Sequence, residues 1–227
     1  MRLVVTHLTR MKGGHVCVAG QDVRGGASVR PVLQGQRLPR SALSAEGGPY
    51  GIGGIVELSG ARPCGRAPEV EDYAYVHAQR VGSLDATRFW QALARVARPS
   101  LQAIFGPEME PQGRTAALPL GKGAASLGVL APRSRPVLTF FDDHPRLSFR
   151  DEMGPLDVAL TDVRLVQADH AALDPRAVET LRKLLAAGEC LLCVGVGRPW
   201  AREEGEPPRH WLQVNNVHVP GTVDWSA

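Results

Sequence analysis

Apolar and polar positions along this chain change period several times, and each change marks an element. Residues 2–8 are apolar and β-branched enough for an opening strand. The basic turn Thr9-Arg10-Met11-Lys12-Gly13-Gly14 follows, and residues 15–19 alternate into a second strand through Val16 and Val18. Residues 28–33 form a third, which Pro31 places at an edge or ends. Residues 34–51 read as a loop. Strands at 52–58 and 73–81, separated by the turn-rich stretch 62–68, complete five short strands punctuated by Gly and Pro.

The period then turns helical. Ser83 is placed to cap a helix running to about Ala97, with Phe89, Trp90, Leu93 and Val96 near helical spacing. Pro99 stops it, and residues 100–105 give another turn or two before Gly106-Pro107. Residues 107–125, rich in Pro, Gly and Ala without a sustained period, predict a linker or exposed arm.

Strand patterning returns at 127–130, 136–141, 146–149 and 156–166, with turn chemistry at Asp142-Asp143-His144-Pro145. A helix follows, capped by Asp174, begun by Pro175, ended near Gly188, with Val178, Leu181, Leu184 and Leu185 on one face. Apolar runs at 190–196 and 211–217 close the chain. A helix ahead of the last two strands is the order of an OB-fold barrel. The predicted fold is mainly β with helices: two OB-like five-stranded barrels, residues 1–82 and 126–227, joined by a helical connector and Gly/Pro-rich arm at 83–125.

Composition narrows the function without fixing it. The 227 residues are 44% hydrophobic and 22% charged, the balance of a globular protein. The formal net charge of +3 is carried almost wholly by arginine, since Lys12, Lys122 and Lys183 are the only lysines. Arginine's planar fork suits phosphates and stacked bases. Four cysteines are too few for a disulfide scaffold, and no apolar run approaches a membrane span, so a reduced, cytoplasmic, soluble protein is expected. Cys190-x-x-Cys193 has no second ligand pair for zinc and no helix N-terminus for redox chemistry, so it reads as buried strand cysteines. Gly121-Lys122-Gly123 lacks the spacing and the Ser/Thr of a phosphate-binding loop, and no cofactor or metal is predicted.

OB barrels bind oligonucleotides on the face of strands two and three and with the loops between strands one and two and between four and five. In the second half the latter loop carries Arg198, Trp200, Arg202 and Arg209, with His210 and Trp211 at its exit and Glu203, Glu204 and Glu206 opposing. The tryptophans have two readings, as stacking platforms or as core anchors. In the first half, Arg10 and Lys12 form a phosphate clamp that Arg24 and Arg30 extend. Asn215 and Asn216, the chain's only asparagines, either read base edges or bond loop carbonyls at a barrel closure; buried neighbours Val214 and Val217 favour the second. Asp142, Asp143 and His144 form the best acid/base or metal cluster, though the same residues make a good hairpin turn.

The stretches Lys12-Gly13-Gly14, Cys17-Val18-Ala19-Gly20 and Val29-Arg30-Pro31-Val32 resemble the opening of bacterial dual OB-domain proteins. Val194-Gly195-Val196-Gly197-Arg198-Pro199-Trp200 and Leu212-Gln213-Val214-Asn215-Asn216 resemble that family's end. The resemblance implies two OB-folds and a nucleic-acid role, in defence against mobile elements or in nucleic-acid processing, and supplies no catalytic residue. The leading expectation is therefore a non-catalytic binder of single-stranded DNA or RNA. A protein-interaction adaptor is the alternative, and a metal-dependent hydrolase using Asp142, Asp143 and His144 is a third reading.

Overall fold

Among the residues that the computed structural model describes (1–33, 36–167 and 172–226), strands build two curled sheets. The first holds β1 (Arg2–Arg10), β2 (His15–Asp22), β3 (Ser28–Val32), β4 (Leu38–Pro39), β5 (Gly54–Ser59), β6 (Arg62–Pro63), β7 (Asp72–Ala74) and β8 (His77–Ser83). Its order is β6-β7-β3-β2-β1-β5-β8, with β4 also on β2. Only Tyr75 and Val76 separate β7 from β8, and two residues reach no more than about 7 Å. β7, next to one end of the sheet, and β8, at the other end, are thus halves of one broken strand, which curls the sheet round into a barrel-like shape. β7 lies parallel to β3 and β8 antiparallel to β5.

Two helices follow, α1 (Ala86–Val96) and α2 (Leu101–Phe105). Asp85 rather than Ser83 caps α1, accepting from the Arg88 N–H at 2.8 Å, because Ser83 still pairs with Gly54 in the sheet. Ser100 caps α2 and Gly106 ends it. The segment read as a linker or arm holds β9 (Glu110–Gln112) and β10 (Thr115–Pro119). β10 pairs with the last strand and buries Ala116, Ala117 and Leu118.

The second sheet continues with β11 (Leu127–Leu130), β12 (Val137–Phe141), β13 (His144–Asp151), β14 (Gly154–Leu160), then α3 (Pro175–Ala187), β15 (Leu191–Val196) and β16 (Arg209–His218). Its order, β11-β15-β16-β14-β13-β12, again ends on two pieces of one interrupted stretch, β11 and β12. β14 and β16 run parallel, as β3 and β7 do in the first barrel. The helix between strands three and four is α3, with Asp174 as its cap and Pro175 in its first turn. In the first barrel two short 3-10 turns, Arg40–Ala42 and Ser44–Glu46, stand in that interval. Residues 34 and 35 of the expected 34–51 loop lie outside the described residues. At Pro31 the strand is paired on one side only: β3 pairs with β2 at Ser28 and Val29, and with β7 from Arg30 onward, so the ring stands where β2 has already parted from it.

Strands buried on both faces explain the unbroken apolar runs. On β15, Leu192, Val194 and Val196 enter their own barrel's core, whereas Leu191 and Cys193 join the core of the first barrel. β1 packs against the same seam, with Thr6, His7 and Thr9 buried beside its aliphatic residues. Burial pushes the Cys190 thiol up to about 12 and also raises that of Cys193. Neither cysteine is a nucleophile at neutral pH.

Polar groups set the register of this seam. Asn216, with no exposed surface, donates to the Leu8 carbonyl at 3.2 Å and accepts from the Leu8 N–H at 2.7 Å. His218 Nε2 meets the Thr6 carbonyl at 2.9 Å, and the Arg10 N–H donates to the Thr161 carbonyl at 2.9 Å. Glu71 of the first barrel accepts from the Ser126 and Leu127 N–H groups at 2.8 and 3.1 Å, and from the Ser126 hydroxyl at 2.9 Å. Asn216→Ala leaves both Leu8 backbone groups buried without partners. It is expected to cost roughly 2–4 kcal/mol, read as a lower denaturant midpoint.

His7 adds a pH dependence. Burial pulls its pKa from 6.5 down to about 4, so the folded protein holds the ring neutral. As pH falls, the unfolded chain takes up the proton first. Stability present above pH 6.5 is lost progressively down to about pH 4, amounting to about 3 kcal/mol from this ring. His218, also pulled down by burial, acts in the same direction. Urea unfolding at pH 7.5 and pH 4.5 measures this, and equal midpoints would contradict it.

Candidate nucleic-acid interface

A cleft of about 600 Å³ opens where the β2–β3 face of the first barrel meets the β15–β16 corner of the second. The β1–β2 loop forms one wall, and the sequence dictates its tight path: Gly13 and Gly14 both take left-handed backbone, at φ +75° and +71°. That path leaves Lys12 exposed at the rim beside half-buried Arg10. β4 pairs with β2 through Pro39–His15 and Leu38–Val16, which brings exposed Arg37 to the same cleft. Arg10, Lys12 and Arg37 form no ion pair among the described residues, whereas Glu69 is the one carboxylate among the residues lining the cleft.

Arg30 and Arg198 complete the charge pattern, in a different state. Arg30 lies on the floor, 7% exposed, its Nε on Asp72 Oδ1 at 2.5 Å. Arg198 comes from the second barrel, and its guanidinium spans two acids of the first: Asp72 Oδ2 at 3.0 Å and Glu69 Oε1 at 2.9 Å. One carboxylate thus serves two guanidinium groups from opposite barrels. Arg198 is held by acids distant in sequence, not by Glu203, Glu204 or Glu206 of its own loop. Its side chain remains 63% exposed and reachable from the cleft. Cys17 also lies on the floor, and burial raises its thiol pKa.

The loop after β15 folds back on itself. Trp200 and Arg209 pair through their backbones at 3.1 and 3.2 Å. Trp211 is 9% exposed, its Nε1–H donating to the Trp200 carbonyl at 2.9 Å. The Arg202 guanidinium covers the Trp211 ring at 3.6 Å, and Trp200 packs tilted against it at 5.9 Å. Trp211 is therefore an anchor, and Arg202 is held over it. Trp200, 52% exposed, keeps a face in water two residues from Arg198.

Several expected site residues lie elsewhere. Arg209 pairs with Glu110 at 2.9 Å on the outside of β16. His210 is 2% exposed, with Nδ1 on the Gly197 carbonyl at 3.0 Å. Asn215 and Asn216, 3% and 0% exposed, sit inside the protein and offer nothing to a polymer in water. Arg24 is exposed in the β2–β3 turn, at the opposite end of the eight-residue β2 from the Lys12 loop, about 23 Å away. Asp142 and Asp143, at φ +47° and +60°, are the two residues of the β12–β13 hairpin turn. No group of three His, Cys, Asp or Glu residues able to hold a metal occurs among the described residues. Arg37 and Glu69 were not legible as site residues, because only strand pairing brings them to the cleft.

Two curled half-barrel sheets, each with a parallel strand pair, meeting at a basic cleft on the strand two–three face, define a tandem OB-type protein. The chain belongs to the family of the dual OB-containing domain, whose model matches residues 1–217. No curated protein matches it in sequence. A solved structure of a murine DNA binding protein bound with double-stranded DNA is similar over 94% of this chain and 88% of that one. Its identity is 8% and its TM-score 0.30, a likeness too loose to carry a functional conclusion. No helix among the described residues is long and apolar enough to cross a membrane.

Asp72→Asn tests the shared carboxylate. It leaves Arg30 buried without its counter-charge and is expected to destabilise the fold by about 3–5 kcal/mol, measured by denaturant unfolding.

Proposed function

We propose that this protein binds nucleic acid as a single strand, laid along the cleft between its barrels and over the exposed face of Trp200. The observation that carries this reading is the convergence of Arg10, Lys12 and Arg37, cations without ion-pair partners among the described residues, on the strand two–three face and first loop of an OB barrel. That face takes oligonucleotides or oligosaccharides in such folds, and the cationic lining favours the polyanion. Arg198 stands at the rim with more than half its side chain in water, and Trp200 follows two residues on as the stacking surface. The two barrels in this reading comprise residues 1–82 and 126–227, with β9 and β10 belonging to the second through the pairing of β10 with β16. A place in defence or nucleic-acid processing rests on the family resemblance alone.

A protein partner is the second reading, favoured by exposed Val137 (57%) and Phe141 (65%) on β12. A stable complex lost in Phe141→Ser, without any nucleic-acid affinity, would support it instead.

Binding of a labelled single-stranded oligonucleotide across a salt series tests the first reading. Each phosphate contact contributes a slope of about −0.7 in log K against log[salt] for single strands. Lys12→Ala with Arg37→Ala is expected to flatten the slope by about 1.4. Trp200→Ala is expected to cost about 1–3 kcal/mol with little change in slope. Salt-independent binding, or binding indifferent to these substitutions, would refute the cleft as the interface.

A further inference from the structure

A second cleft, of about 520 Å³, lies at the other end of the inter-barrel seam. β2 relates the two. Val16 and Val18 face the barrel core, so Cys17, Ala19 and Gln21 share the outer face. Cys17 lines the first cleft and Gln21 the second, about 13 Å apart along the strand, with fully buried Ala19 between them.

We infer that this second cleft is a binding site for a phosphate group. Its lining contains two cations, Arg95 and Arg98, and no carboxylate. Neither arginine forms an ion pair among the described residues. Both are positioned by rigid elements. Arg95 is in the last turn of α1 and reaches back over the β2–β3 turn, its Nη2 3.6 Å from where a Cβ on Gly26 would stand. The Arg98 backbone is clamped to β11, its N–H donating to the Val129 carbonyl at 2.8 Å and its carbonyl accepting from the Ala131 N–H at 2.9 Å. Gln21 supplies the independent observation. It is 4% exposed, lines the cleft, and its side-chain amide has no hydrogen-bond partner among the described residues. An amide lining the same cleft as two guanidinium groups that form no ion pair among the described residues can join them in donating to a phosphate, which offers three or more oxygens to all three.

The phosphate can belong to a free nucleotide or to the end of a nucleic-acid strand, and one set of titrations separates them. Calorimetry on the full chain compares adenosine 5′-monophosphate, adenosine, and a short oligonucleotide with and without a 5′-phosphate. The mononucleotide is expected to bind where adenosine does not. Arg95→Ala with Arg98→Ala is expected to weaken it roughly 10–100-fold, whereas Lys12→Ala with Arg37→Ala leaves it unchanged. If only the 5′-phosphorylated oligonucleotide shows an Arg95/Arg98-dependent gain over its unphosphorylated form, the site takes a strand end. If no ligand's affinity responds to the Arg95/Arg98 pair, or mononucleotide binding is lost only with the Lys12/Arg37 pair, the second site is refuted. Oligonucleotide binding that still depends on Lys12 and Arg37 would leave the first cleft standing in either case. Thermal unfolding of both double variants establishes that these exposed substitutions leave the fold intact.

Discussion

One carboxamide holds a disproportionate place in this architecture. Asn216 presents both its donor and its acceptor to Leu8, doing for that residue what a neighbouring strand would do. A backbone buried between two barrels has no water to satisfy it, so its N–H and carbonyl groups must meet protein partners. The only asparagine pair in the sequence therefore lies on a strand, where propensity disfavours it, because a tertiary requirement outweighs local preference. Glu71 at Ser126 and Leu127 answers the same need for the backbone entering β11.

The cleft is a consequence of this fixed seam. The barrels pack at one angle, so Arg198 from the second reaches acids of the first, and the basic β1–β2 loop faces the start of the loop after β15. Two kinds of cation result. Arg30 and Arg198 pair with Asp72 and Glu69, which organise the floor, whereas Arg10, Lys12 and Arg37 form no ion pair among the described residues around it. The first kind costs desolvation and secures geometry; the second supplies attraction.

Much of the fold was legible because its strands and last helix obey local rules. Asp174, Pro175 and Gly188 delimit α3, and the alternation of Val16 and Val18 marks the core face of β2. β10 escaped notice since Thr115, Ala116, Ala117 and Leu118 are small or weakly β-prone, and their strand exists through pairing with β16. The sites were harder to read. Trp200 and Trp211 carry the same sequence signal, yet a guanidinium over one ring and water over the other give them different roles. The Arg198 partners stand more than 120 residues away, as the Arg198–Asp72 separation of 126 shows. No local pattern encodes such a pairing.

The sharing of Leu191, Cys193, Val129 and Val163 with the first barrel's interior has a further meaning. The borrowing runs one way: the first barrel's interior is completed by side chains of the second, whereas the second barrel's own cluster is built from residues 101–225 alone. Removing the second barrel would therefore strip the first of part of its interior, while the converse loss would leave the second barrel's cluster intact.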